Sequence, residues 1–262
     1  MIRYLRLYAY FLRFSFSKAL EFRLDFFFRV VMDLLYYAVN LAFYLLIYLH
    51  TDLLGGWNRE EMMVFVAAYL IVDALNMTFF ANNMWWLPIF INRGDLDYYL
   101  IRPVSSLFFL SLREFAANSF LNLLIAASIM AWALSRLPSP PEPARLLFFL
   151  LLLINGAFLY HLVRLLTIIP VFWLHSGRGF EQIFWNLARF KERPDRIFSG
   201  WTRRVLLGIL PFGLMTSFPA RLFLDPFDPI LLLHIIVVTA LFFIGVVLFW
   251  RRGLRAYSSA SS

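Results

Sequence analysis

Long apolar runs separated by short polar stretches dominate this chain. At 1.5 Å of rise per residue, about 20 apolar residues make a helix that crosses a hydrocarbon core. Runs of this kind fall at roughly 26–49, 62–86, 114–134, 146–174, 205–224 and 230–250. They predict an all-α, polytopic membrane protein: a single transmembrane domain over 1–262 with six transmembrane helices. Polar residues sit inside several runs. Arg29 and Asp33 lie four apart on one face of the first span, where they can neutralise each other near the membrane edge. Asp73 and Asn76 fall in the second, and Asn155, His161 and Arg164 in the fourth. Pro211, Gly213 and Pro219 interrupt the fifth. Ahead of the first span, Arg3, Arg6, Arg13 and Lys18 gather on one side of a helical wheel. Leu5, Tyr8, Leu12, Phe16 and Ala19 lie opposite, so 1–25 reads as an interfacial amphipathic helix. The simpler reading is a basic flank of the first span.

Composition sharpens this picture. The chain is 62% hydrophobic and 15% charged, against about 45–50% and 25% for soluble domains. Soluble and disordered classes are thereby excluded, and six crossings leave no length for a nucleotide-binding domain. The lack of cysteine excludes disulfides, thiolate metal sites and a cysteine nucleophile. The net charge of +8 points to anionic lipid headgroups and positive-inside loops rather than nucleic acid. With the N-terminus in the cytoplasm, 17 basic residues fall inside and three outside, seven of the 17 in the stretch 175–204. Both termini are then cytoplasmic.

Little in the chain suggests chemistry of its own. A P-loop needs a lysine after glycine, but Lys18 follows Ser17 and Lys191 follows Phe190. The four histidines lack HxxxH or HExxH spacing, so no metal, cofactor or catalytic residue is assigned. His161 and Arg164, beside Asn155 and Tyr160, fit either a polar patch on a transport path or a buried cluster that orients helices. Tryptophans near the span ends, Trp57, Trp85, Trp86, Trp173, Trp201 and Trp250, read as an interfacial belt.

The most informative stretch follows the second span and reads INRGDLDYYLIRPVSS, residues 91–106. Gly94 permits a turn, and Asp95 or Asp97 can cap a short helix. Leu96, Tyr99, Leu100 and Pro103 offer a compact apolar face suited to a groove on a soluble partner. Gly94, Leu96, Asp97, Leu100, Arg102, Pro103 and Ser105 resemble the first cytoplasmic loop of ATP-binding-cassette type-2 exporter permeases, in the six-span subfamily with a Gly-x-Leu-Asp core and an Arg-Pro. The resemblance implies a coupling helix seated in a separate ATPase subunit. Arg93, Asp95, Asp97 and Arg102 would make the polar contacts, and Leu96, Tyr98 and Leu100 would form the docking face. It also implies two ATPase copies carrying the ATP and magnesium, a second permease, identical or paralogous, and a bacterial inner membrane. A re-entrant course for 211–228 is implied as well. Two other classes stay open: an intramembrane lipid-modifying enzyme, and a non-catalytic membrane anchor of a cytoplasmic complex.

Overall fold

A computed structural model of the chain describes residues 2–21, 23–176 and 178–258. Helix α1 (Ile2–Glu21) leads into α2 (Arg23–Ile47). The side chains of Arg3, Leu5, Phe16, Lys18 and Ala19 lie outside the described part, so the wheel of α1 is only partly visible. Next comes a continuous rod over Arg59–Arg93, made of α3 (Arg59–Asn76), a π turn (Met77–Ala81) and α4 (Asn82–Arg93). A capping box starts it: the Glu61 backbone N–H donates to the Asn58 side chain, and the Glu61 carboxylate accepts from the Asn58 N–H, both at 2.9 Å. The π turn frees the Thr78 carbonyl, which accepts from the Ala116 N–H at 2.9 Å. The Asn83 amide then bridges the Glu114 N–H and C=O at 2.9 and 2.8 Å. These bonds stitch the start of α7 (Ala117–Ser135) to the rod.

Residues 62–72 of α3 are buried on every face, so the rod forms the axis of the bundle. Helix α8 (Pro143–Ile168), followed by the short α9 (Val171–Leu174), is its second axis. By contrast, only 11% of the apolar stretch of α2 is buried, against 72% for the rod. Helix α14 (Pro229–Ala256) starts at an Asp228 cap and is 28% buried. Helices α2 and α14 thus turn most of their apolar surface outward. Among the described residues, four helices are long and apolar enough to cross a membrane, and α7 is a shorter apolar helix.

The second half of the chain departs from expectation. The stretch 175–204 is not a surface loop. Helix α10 (Arg178–Ala188) and the 3-10 turns 189–192 and 195–197 climb along α8. Glu181 meets Arg164 at 2.8 Å, Phe184 stacks on Tyr160, and Lys191 reaches Asp73. At the top, Pro194 and Arg196 flank Gly55, and Arg196 pairs with Asp225. Arg193, Arg196 and Arg203 therefore lie in the half of the bundle that holds Asp225, not with the 94–105 loop. Residues 205–224 are divided into short helices. Helices α11 (Gly200–Leu207), α12 (Phe212–Met215) and α13 (Ser217–Leu224) form a hairpin that reaches mid-bundle and returns to Asp225.

The hairpin seats on α8 at Gly156, where an added Cβ would collide with the Met215 carbonyl oxygen. Small residues permit such backbone approach inside membranes. Gly156→Ala is expected to lose about 2 kcal/mol of stability, the scale of overpacking, as a lower Tm in detergent. Gly245→Ala, where a methyl meets open space, should leave Tm level or slightly raised. Equal effects would contradict this seating.

Candidate functional site

Two regions concentrate function-bearing residues. The first is the end of the bundle that carries the 94–105 loop. Helix α4 stops because Gly94 takes φ +80°, a left-handed cap. The chain then doubles back, with the Leu96 N–H donating to the Phe90 carbonyl at 3.3 Å. Leu96 is fully buried among Leu87, Ile91 and Leu110. It nucleates α5 (Asp97–Leu100), whose Tyr99 and Leu100 N–H groups donate to the Leu96 carbonyl. Leu96 itself is the N-cap and no side chain caps this turn, so the cap expected of Asp95 or Asp97 is absent.

Aromatic packing braces the loop. Tyr99 lies between Phe90 and Phe109, with centroids 5.3 and 5.6 Å away. Arg113 covers the Phe90 and Tyr99 rings and donates to the Tyr99 hydroxyl. Arg102 donates to the Tyr98 carbonyl at 3.2 Å and lies 5.0 Å over Phe109. Ser105 then caps α6 (Ser106–Leu112). Helix α1 supports the far side: the Ser105 N–H donates to Tyr4 at 3.3 Å, and the Phe115 N–H to Ser15 at 3.0 Å. Tyr257 lies beside Asp97; burial first, and then that carboxylate, raise its pKa.

What remains bare is specific. Ile101 is 80% exposed and Tyr98 is 68% exposed; Leu100, Arg93, Arg102 and Pro103 are also exposed. Asp95 and Asp97 are half-buried. The docking face expected of Leu96, Tyr98 and Leu100 is therefore corrected. Leu96 points inward and holds the loop, while Ile101, which the apolar-face reading passed over, projects furthest. Its position next to Arg102-Pro103 was the available signal.

The second region is a set of polar groups inside the bundle. Asp73 pairs with Lys191 at 3.1 Å, and Lys191 lies 3.5 Å from Glu192 and 5.2 Å over the Tyr160 ring. Tyr36 donates to the Glu192 carboxylate and Tyr44 to its backbone carbonyl. Lys191, 3% exposed, was missed because a basic stretch reads as a loop. Phe180, Phe184 and Ala188, recurring every four residues, were the helical signal. Nearby, Asp195 accepts from Ser217, Arg203 and Arg221, and Asp225 accepts from Trp57 at 3.3 Å and from Arg196.

The remaining intramembrane candidates do not form one patch. Arg29 is exposed on α2, and Asp33 accepts from Asn122 of α7. Asn76 is buried. Asn155 donates to Thr239 at 3.1 Å, tying α8 to α14. His161 is 3.1 Å from the Ser111 hydroxyl and stacks on Phe80. Arg164, one turn on, pairs instead with Glu181. Asp33, Asn155, His161 and Arg164 each tie a different pair of elements. Among the described residues, no His, Asp and Glu grouping could hold a metal ion.

The arrangement is a braced, bare loop at one end of an apolar helical bundle. A family model described as ABC-2 family transporter protein matches residues 34–261, nearly the whole chain. The protein belongs to this family and is an ABC transporter permease embedded in a membrane. Comparison with curated proteins and with solved structures gives no match.

The Asp73–Lys191 pair generates a stability prediction. Breaking a buried pair leaves one charge uncompensated, at a cost of about 3 kcal/mol or more. Lys191→Met, which takes the cation away from Asp73, should thus lower detergent Tm sharply, whereas Asp73→Leu with Lys191→Met should lose less than the single change. A double variant as unstable as the sum of its parts would contradict the coupling.

Proposed function

We propose that the chain is the permease subunit of an exporter whose ATPase is a separate protein, with the 93–105 loop as the mechanical link. The observation that carries this reading is the loop itself. Its backbone is held by Leu96 and the Tyr99–Arg113 stack, while Tyr98 and Ile101 stand bare on it. Rigid, exposed apolar anchors of this kind are what an interface buries first. A groove of about 300 Å³ beside them, between α1 and the loop, is lined by Arg6, Tyr10, Arg102 and Pro103. It widens the surface on which a partner can seat.

The mechanism follows from this arrangement. ATP binding changes the shape of the partner, and its differential affinity for two permease states supplies the drive. Because Leu96 shares a core with Ile168, Phe172 and Trp250, a push on the loop reaches α4, α8 and α14 together. Two ATPase copies and a second permease, identical or paralogous, complete the assembly; the outward apolar faces of α2 and α14 supply surface for that second permease and for lipid. Residues 178–197 make the fifth crossing and 200–224 a re-entrant hairpin from the far side. Arg93, Arg102, Arg251, Arg252 and Arg255 then keep the loop end cytoplasmic by the positive-inside rule, in a bacterial inner membrane.

Affinity purification of the chain from its native membrane, with ATPase assay of the bound proteins, tests the reading. The wild type is expected to bring down an ATPase. Tyr98→Asp with Ile101→Asp should lose it, with an anchor-scale penalty of about 2 kcal/mol or more per residue, while Tm holds. Leu96→Asp should instead lower Tm through its buried charge. A tight ATPase complex that survives the Tyr98/Ile101 change would overturn the docking assignment.

A further inference from the structure

A cavity of about 560 Å³ opens beside Arg164, between α4, the end of α8 and the start of α10. Its polar wall includes Asn92, Arg164, Thr167 and Glu181, and its apolar wall includes Met84 and Ile168. The arginine is unusual in its surroundings. Its side chain is 7% exposed, and a guanidinium stays charged at any physiological pH. Trp85, Phe184 and Trp185 surround it at 5.4, 4.7 and 4.8 Å from their centroids. With those rings taking the cation's faces, hydrogen bonding is left to its edge. One edge nitrogen, Nη2, donates to Glu181 at 2.8 Å. The other, Nη1, is buried and has no hydrogen-bond partner.

A buried, charged donor without an acceptor is costly. An oxyanion placed in the cavity removes that cost, and a guanidinium edge is shaped to hold phosphate oxygens with two donors. Asn92 lies one residue before the end of α4 and Ile168 ends α8, so this part of the wall sits near the membrane boundary, while Met84, about two turns back along α4, continues it toward the apolar interior. Polar wall, orphan donor and apolar slope together match an amphiphile entered headgroup first.

We propose that this cavity binds the phosphate-bearing headgroup of an amphiphile, with Arg164 as the anion-binding residue and Glu181 as its resident competitor. The site rests on the chain being membrane-embedded and not on the docking of an ATPase, so the two readings fail separately. The test is isothermal titration of the detergent-solubilised full chain with three probes: dihexanoyl phosphatidic acid, dihexanoyl phosphatidylcholine and inorganic phosphate. The phosphatidic acid is expected to bind at one site per chain, at least about tenfold tighter than phosphatidylcholine, whose phosphate is shielded by its own cation. Arg164→Gln should weaken it by about tenfold or more. Glu181→Gln frees the guanidinium and should tighten it several-fold, a gain that misfolding does not produce. Inorganic phosphate binding as tightly as the lipid would assign the site to a free anion and overturn the amphiphile. Unchanged affinity in both variants would overturn the site.

Discussion

An ammonium group inside an apolar bundle has no water to turn to, so it must find a carboxylate. Lys191 finds Asp73, and much of the second half of the protein follows from that pairing. The lysine belongs to a turn between α10 and the far end of the bundle, and the aspartate to the most buried helix. Joining them lays 178–197 along α8. The Lys191 carbonyl then accepts from Thr216, next to the backbone seated on Gly156. One ion pair therefore registers the climbing segment and the hairpin against the two axial helices. Asp195 and Asp225 repeat the device nearer the far end with Arg203, Arg221 and Arg196. Ion pairs of this kind add little net stability compared with an apolar replacement, and their value lies in fixing one arrangement over others.

The two ends of the bundle are built differently. At the Asp225 end, charges pair with one another and close the structure. At the loop end, aromatic rings and a single buried leucine set the backbone, and apolar side chains are left bare. Between the two ends stands α8, tied to α14 by Asn155, to α6 by His161 and to α10 by Arg164.

Much of this was legible in the sequence wherever hydropathy alone decides. Helices α2, α3 with α4, α8 and α14 follow long apolar runs, and the 91–106 loop stood out through Gly94, Asp97 and Arg102-Pro103. The segment 178–198 was hidden because its charges are answered from outside it: Glu181 by Arg164, Lys191 by Asp73, Asp195 by Arg203 and Arg221, and Arg196 by Asp225. Read alone, those charges mimic a cytoplasmic loop. The loop face differs from expectation only at Leu96, for another reason. Leu96, Leu100 and Ile101 are alike in chemistry, and only the turn at Gly94 decides that Leu96 faces the core. Arg164 was visible as an intramembrane charge, but its orphan nitrogen and its cavity depend on three rings from two other helices.

In the proposed topology a polar, ion-paired segment crosses the bundle and carries the chain from the loop end to the far end. The chain has no cysteine, so single cysteines can be introduced without a background. Tyr98 and Trp201 are both exposed, at 68% and 75%, on either side of that segment. Labelling Tyr98→Cys and Trp201→Cys with a membrane-impermeant maleimide, in intact cells and in inverted vesicles, measures the claim directly. Opposite sidedness is the predicted result: position 98 reacts only in inverted vesicles and position 201 only in cells. Labelling of both from the same side would contradict the account.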